Sequence, residues 1–214
     1  MLIILEKYPE VINAVEDGSV YACIVRGANF EVTKEDVDNA MPILKESGVC
    51  ILQNEIPVEI IAYAIDKAKE AGCIVVLNAA PAIELPEECL SKVDILVVNE
   101  VEAEFYCHEK IDSVEKAKTE IKKMAEKYNN NVIFTLGKDG AVAYENGTIE
   151  FIPAMKVDAI ETTGAGDSYI GAVSHSIIEG KSLIEACKFA TKCSAITVCR
   201  MGAQPSMPTL EDVE

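Results

Sequence analysis

The chain has 214 residues, half of them hydrophobic, which is enough apolar material for the core of one domain. Asp and Glu number 36 against 19 Lys and Arg, giving a formal charge of −17. A surface field of that sign repels a phosphate backbone and argues against nucleic acid as a partner, although backbone N–H groups can still hold a nucleotide's phosphates locally. No apolar stretch approaches the length of a membrane span, and the start, MLIILEKYPEVI, lacks the basic leader of a signal peptide. The eight cysteines include no C-x-x-C pair and have no histidine spaced for zinc. Cys50, Cys73 and Cys199 lie in or beside apolar runs and read as small reduced hydrophobes. These features together predict a cytoplasmic protein without nucleic-acid or membrane partners.

In chain order, the runs at 2–5 and 20–25 have strand character, but no crossover helix joins them, so 1–32 is set apart from a core over 33–214. Thr33 and Asp36 have capping-box spacing, and Val37, Ala40, Met41 and Leu44 share the helical face that follows. The short apolar run 49–53 precedes Pro57, which opens a helix striped by Val58, Ile61, Ala62 and Ile65 and stopped by Gly72. Segments 74–77, 95–98 and 132–136 are β-branched and nearly free of polar residues, as in strands covered on both faces. Ser113 caps a helix with an apolar face of Val114, Ala117, Ile121, Met124 and Ala125. This βαβ alternation predicts a mostly parallel sheet with right-handed crossovers. Runs 141–144 and 148–152 flank Glu145-Asn146-Gly147, a tight-turn signal for a β-hairpin. Two helices close the chain, one opening near Gly164 and one capped by Ser182 and Glu185.

The stretch Glu161-Thr162-Thr163-Gly164-Ala165-Gly166-Asp167-Ser168 is a small-residue loop feeding directly into a helix. Its glycines admit an anion close to the backbone, and a helix start presents unpaired N–H groups at the positive end of the dipole. Asp167 in the first turn is placed to accept a proton from an attacking hydroxyl while the N–H groups stabilise a transferring phosphoryl group. On local spacing alone, the alternative that Asp167 merely caps a helix after a tight turn has equal weight.

The string TTGAGDSYIGA resembles the signature of the ribokinase (PfkB) family of carbohydrate kinases. LQNEIP at 52–57, LNAAPA at 77–82, NEVEAE at 99–104, TLG at 135–137 and GAQPS at 202–206 match the same family in order, so the resemblance runs from about Gly27 to the C-terminus. It implies a ribokinase-like three-layer α/β/α sandwich with a mostly parallel sheet. The implied activity is transfer of the ATP γ-phosphoryl group to the primary hydroxyl of ribose or a similar sugar. Asp167 would be the base, Gly164, Ala165 and Gly166 the anion hole, and Glu55 a sugar contact. Asn99 and Glu102 would organise Mg²⁺ and the phosphates through water, and Thr135 and Gly137 would meet the nucleotide. Without the resemblance, Asn99 reads as a strand-end turn former and Glu102 as a solvated helix residue. An activating monovalent cation, usually K⁺, would be held by oxygens of Glu161, Thr163, Thr197, Arg200, Gly202 and Ser206, several through backbone carbonyls alone.

The chain departs from the family at position 161, at its N-terminus and, less consequentially, at Arg26, which stands where the family often has Pro before Gly-Ala-Asn. Position 161 is usually Asp, and Glu161 moves the carboxylate by about one C–C bond length. The sugar-binding Asp and Gly-Gly segment of the family's N-terminal βαβ region have no counterpart before Gly27, and 1–32 reads as a lid remnant. The expectation is an N-terminally truncated member with exposed sheet edge, covered by 1–32, by a second copy in a homodimer or by a complementing subunit. The alternative activity is a catalytically weak remnant that binds nucleotide or associates with other subunits.

Overall fold

The computed structural model describes residues 11–14, 20–23 and 27–213. Strands β1 (Val11–Ala14) and β2 (Val20–Cys23) pair antiparallel as a separate two-stranded ribbon. The strand expected at 20–25 is therefore present, its partner is a segment that sequence pattern did not single out, and the expectation at 2–5 lies outside the described residues.

The core is one six-stranded sheet in strict sequence order: β3 (Val49–Gln53), β4 (Ile74–Asn78), β5 (Ile95–Asn99), β6 (Asn131–Thr135), β7 (Gly140–Glu145) and β8 (Thr148–Pro153). The first four strands run parallel, and β6, β7 and β8 form an antiparallel meander. Asn146 and Gly147 take φ of 48° and 90°, the paired positive values of a type I′ turn, so the Asn-Gly signal selected the hairpin.

Side chains alternate across a strand, and the two faces feed two cores. Val75 and Leu77, Leu96 and Val98, and Val132 and Phe134 pack on one side with helices α2 (Val58–Ala71) and α5 (Val114–Tyr128). Val76, Ile95, Val97 and Ile133 pack on the other side with α6 (Ala165–Ile178) and α7 (Leu183–Val198). The predicted three-layer α/β/α order is therefore present, with β4, β5 and β6 covered on both faces.

The predicted helix ends also hold. Thr33 caps α1 (Lys34–Lys45) in a reciprocal capping box with Asp36, Ser182 does so for α7 with Glu185, and Ser113 Oγ accepts from Lys116 N at α5. Gly72 closes α2 in the left-handed conformation. Two four-residue helices, α3 (Glu87–Leu90) and one at Leu210–Val213, escaped sequence reading, and α4 (Glu100–Cys107) was legible only as a helix around Glu102 without bounds, because none is long enough to show a clear helical period.

The β3 side of the molecule is less well covered. Among the described residues β3 pairs only with β4, all five of its residues are half-buried, and α1 has no buried residue. The apolar face Val37, Ala40, Met41 and Leu44 is thus real but only half-sheltered. Phe134 is fully buried in the centre of the sheet, and Phe134→Ala should lower unfolding free energy by about 3–5 kcal/mol, read from the urea midpoint.

Candidate active site

The four parallel strands end in Gln53, Asn78, Asn99 and Thr135, and open α/β sheets collect ligands at this carboxyl edge. Asn99 leaves β5 and becomes the N-cap of α4: its Oδ1 accepts from the N–H groups of Val101 (2.8 Å) and Glu102 (3.0 Å). Glu102 answers by accepting from Asn99 N at 2.8 Å. The pair is a capping box, so Glu102 is a buried structural carboxylate, 5% exposed, and not the solvated helix residue that unaided reading gives. Burial pushes its carboxyl upward, opposed by the Asn99 backbone and side chain.

Thr135 and Gly137 sit beside this box, since Thr135 is the register partner of Asn99. The Glu100 carboxylate approaches the same corner, 3.4 Å from where a Cβ on Gly137 would lie. Burial raises the Glu100 carboxyl first, and neighbouring Asp139 and Glu104 add to the effect.

The loop before α6 is bound to the C-terminal end of α7 and the segment after it. Ile160 and Glu161 both donate backbone N–H to Val198 O (2.7 and 3.2 Å), and Ser194 Oγ donates to Ala165 O at 3.2 Å. Thr197 Oγ lies 3.0 Å from Cys193 O and 2.8 Å from Ser168 Oγ. With one proton to give, it donates to the carbonyl and accepts from Ser168. Gly164 is the N-cap at φ 77°, a conformation that favours glycine, and a Cβ there would meet Ala203 Cα at 3.4 Å. A glycine N-cap supplies no side-chain acceptor, and the helical pattern leaves the Gly166 and Asp167 N–H groups without an intrahelical partner. The cradle is formed before any anion arrives.

Asp167 is exposed in the first turn of α6. Its Oδ1 accepts from Gln53 Nε2 at 3.1 Å, which ties the start of α6 to the end of β3. Glu55 is half-buried two residues further on, in the loop that leaves β3. Sequence reading quoted Gln53 inside LQNEIP without giving it a role.

The residues assigned to a monovalent cation gather around the same loop. Glu161 Oε2 accepts from Gly202 N at 2.8 Å, across 41 positions of sequence. Gly202 first, and then the Thr163 hydroxyl, hold the Glu161 carboxyl below its usual range. Ser206 is fully buried and donates to Ala203 O at 2.6 Å. The Arg200 guanidinium turns away to pair with Asp212 at 2.9 Å, so only its carbonyl remains for the loop.

Sequence reading missed a second feature. Met155, Val157, Ala195, Ile196 and Cys199 line an open apolar cleft of about 450 Å³, beside the segment joined to Val198. The available signal was two large apolar residues, Met155 and Val157, in a connector outside any predicted element; in the structure they are 51% and 40% exposed.

Because the folded Glu161 carboxyl is depressed, its stabilisation is present above the unfolded value of about 4.3 and is lost as pH falls through the folded value. Wild type should therefore exceed Glu161→Gln in urea midpoint near neutral pH, with the difference closing in acid.

Residues 10–210 match the pfkB family carbohydrate kinase description. The ribokinase of Staphylococcus aureus (strain COL) is 38% identical over 203 residues, 94% of this chain and 66% of that protein. The deoxyribokinase of Salmonella typhi is 33% identical over 204 residues, 95% of this chain and 66% of that protein. The crystal structure of ribokinase from Thermotoga maritima superposes with a TM-score of 0.81 at 37% identity, covering 95% of this chain and 67% of that one. Arabidopsis thaliana ribokinase, complexed with ribose and ATP, gives 0.86 at 28% identity with the same two coverages. The chain thus spans about two thirds of the length of the relatives it matches. With a family match over most of its length and a sandwich shared with solved ribokinases, the chain belongs to the pfkB family of carbohydrate kinases.

Proposed function

We propose that the chain carries the nucleotide-binding and catalytic machinery of an ATP-dependent sugar kinase that phosphorylates the primary hydroxyl of ribose or a similar sugar. The observation that carries this reading is Asp167: an exposed carboxylate in the first turn of α6, beside the free N–H groups of a preformed anion cradle. Asp167 takes the hydroxyl proton as the sugar oxygen attacks phosphorus, and Gly164, Ala165 and Gly166 stabilise charge on the phosphoryl group in flight. Phosphoryl transfer asks mainly for such positioning and charge stabilisation. Glu55, on the loop beside Gln53, is the residue we assign to the sugar hydroxyls.

The mostly apolar cleft at Met155, Val157 and Ile196, with Lys192 and Arg200 also lining it, suits a purine, whose faces are apolar, and its α7 wall adjoins Val198, to which the loop before α6 is bonded. Thr135 and Gly137 complete the nucleotide side. Asn99 and Glu102 are already joined to each other, so they fit Mg²⁺ through water better than as direct ligands. Glu100 and Asp139 add negative charge near the same corner. When bound, Mg²⁺ would neutralise phosphate charge. The oxygens of Glu161, Thr163, Thr197, Arg200, Gly202 and Ser206 suit a K⁺-sized cation chemically, although Glu161 already bridges to Gly202 through its own side chain.

The half-covered β3 edge favours a second reading, a nucleotide-binding or subunit-association module with weak turnover. Ile43 and Ile178, on the helices flanking that edge, are 57% and 59% exposed. This surface is where a second copy or a complementing subunit would sit.

Purified chain with ATP, Mg²⁺, K⁺ and a panel of pentoses, hexoses and nucleosides separates the two readings. Sugar-dependent ADP release supports the kinase, nucleotide binding without release supports the module, and no binding removes both. Asp167→Asn should lower phosphoryl transfer by roughly 10²–10⁴-fold with nucleotide affinity nearly unchanged in calorimetry. Val157→Asp, which places a carboxylate in the cleft, should weaken ADP binding about tenfold without altering the urea midpoint.

A further inference from the structure

We propose that Gln53 is a positioning residue for the reaction: its side-chain amide holds one oxygen of Asp167 and leaves the other, Oδ2, as the atom that takes the substrate proton. This inference rests on the reading of Asp167 as the base.

The tether connects two elements far apart in sequence, since Gln53 ends β3 and Asp167 opens α6, 114 positions later. An ionised carboxylate only accepts hydrogen bonds, so the amide must present its nitrogen, and the 3.1 Å contact runs from Nε2 to Oδ1. Gln53 can donate but has no proton to exchange, and it therefore orients the base without competing for its role.

The turn behind Gln53 is rigid, which makes the tether directional. Asn54, the next residue, is 3% exposed, and its backbone N–H donates to Ala80 O at 3.0 Å. Its Nδ2 donates to Pro81 O at 3.0 Å and reaches Tyr106 Oη at 3.4 Å; Tyr106 in turn donates to Ile83 O at 2.8 Å. One buried amide thus fastens the exit of β3 to the exit of β4 and to α4. With Asn54 held inward, the neighbouring Gln53 is left to reach across to α6.

A structural purpose accounts poorly for the bond. Gln53 is half-buried and Asp167 is exposed, so water would satisfy both groups if the contact were absent. What water would not do is fix the carboxylate's rotation in a first turn where, among the described residues, Gln53 is its side-chain partner. In the reaction, the hydroxyl proton passes to Asp167 Oδ2, the sugar oxygen bonds to the γ-phosphorus, and the bond to the β–γ bridging oxygen breaks to release ADP. Gln53 keeps its bond to Oδ1 throughout.

The test has one arm independent of turnover. In the ¹⁵N-labelled full chain, the Gln53 side-chain amide is assigned by its absence in Gln53→Leu, and one of its protons should shift when Asp167→Ala removes the acceptor. An unchanged amide overturns the tether. In steady state, with whichever sugar the panel identifies, Gln53→Leu and the shorter Gln53→Asn should each lower kcat roughly tenfold, leaving KM for sugar and ATP within about twofold. Added to Asp167→Asn, Gln53→Leu should cost nothing further. A wild-type kcat, a change confined to KM, or a full additional loss on the Asp167→Asn background each overturns the proposal. Wild-type transfer in Asp167→Asn alone removes Asp167 as the base, and with it the kinase mechanism, whatever the amide spectrum shows.

Discussion

The double-sided burial of β4, β5 and β6 is the constraint on which the site depends. Each of these strands sends alternate side chains into two separate cores, so none can slip by one residue without turning its whole apolar set to the wrong face. The register that results sets Gln53 level with Asn78 and Asn99 level with Thr135 at the carboxyl ends of the parallel strands. Loop residues there inherit a position set by hydrophobic packing several residues away. A polar site open to water would have little means of ordering itself.

α6 and α7 carry the second half of the arrangement. They pack together and onto the sheet face opposite α2 and α5. Hydroxyl and carboxylate ties then fasten this loop to α7 and to the segment after it: Ser194 and Thr197 of α7 to Ala165 and Ser168, and Glu161 to Gly202 beyond α7. No single one of these bonds is strong, yet together they hold the N–H groups of a helix start in place before a ligand arrives, and that preorganisation is what an anion hole requires. Glu161 illustrates how a longer side chain is absorbed: its carboxylate reaches the backbone of the GAQPS segment directly.

The β3 edge contrasts with this order. β3 and α1 contribute no buried residue, although their local signals are strong: a capping box for α1 and a short apolar run for β3. Local propensity thus forms elements that the described residues do not fully cover. The site reaches to the last residue of that edge strand, because Gln53 meets Asp167. Whatever completes the edge therefore bears on the geometry of the Asp167 carboxylate.

By itself, the sequence determined the order of the longer elements of the core, the caps of α1, α5 and α7 and the hairpin turn, because these depend on side chains within a few residues of each other. Thr33 with Asp36, Gly72 and Asn146-Gly147 are of this kind. At 161–168 local spacing left a helix cap and a phosphate-binding loop with equal weight, and it was the family resemblance over further ordered segments that favoured the second. Tertiary structure decided what depends on distant partners. Glu102 is buried because α4 begins where β5 ends, and α4 is too short to leave a periodic trace. The apolar cleft exists because the connector at 155–157 crosses the end of α7, and Gln53 acquires a role only because folding brings it to a residue 114 positions away. Such contacts are set by packing of whole layers, which local spacing does not encode.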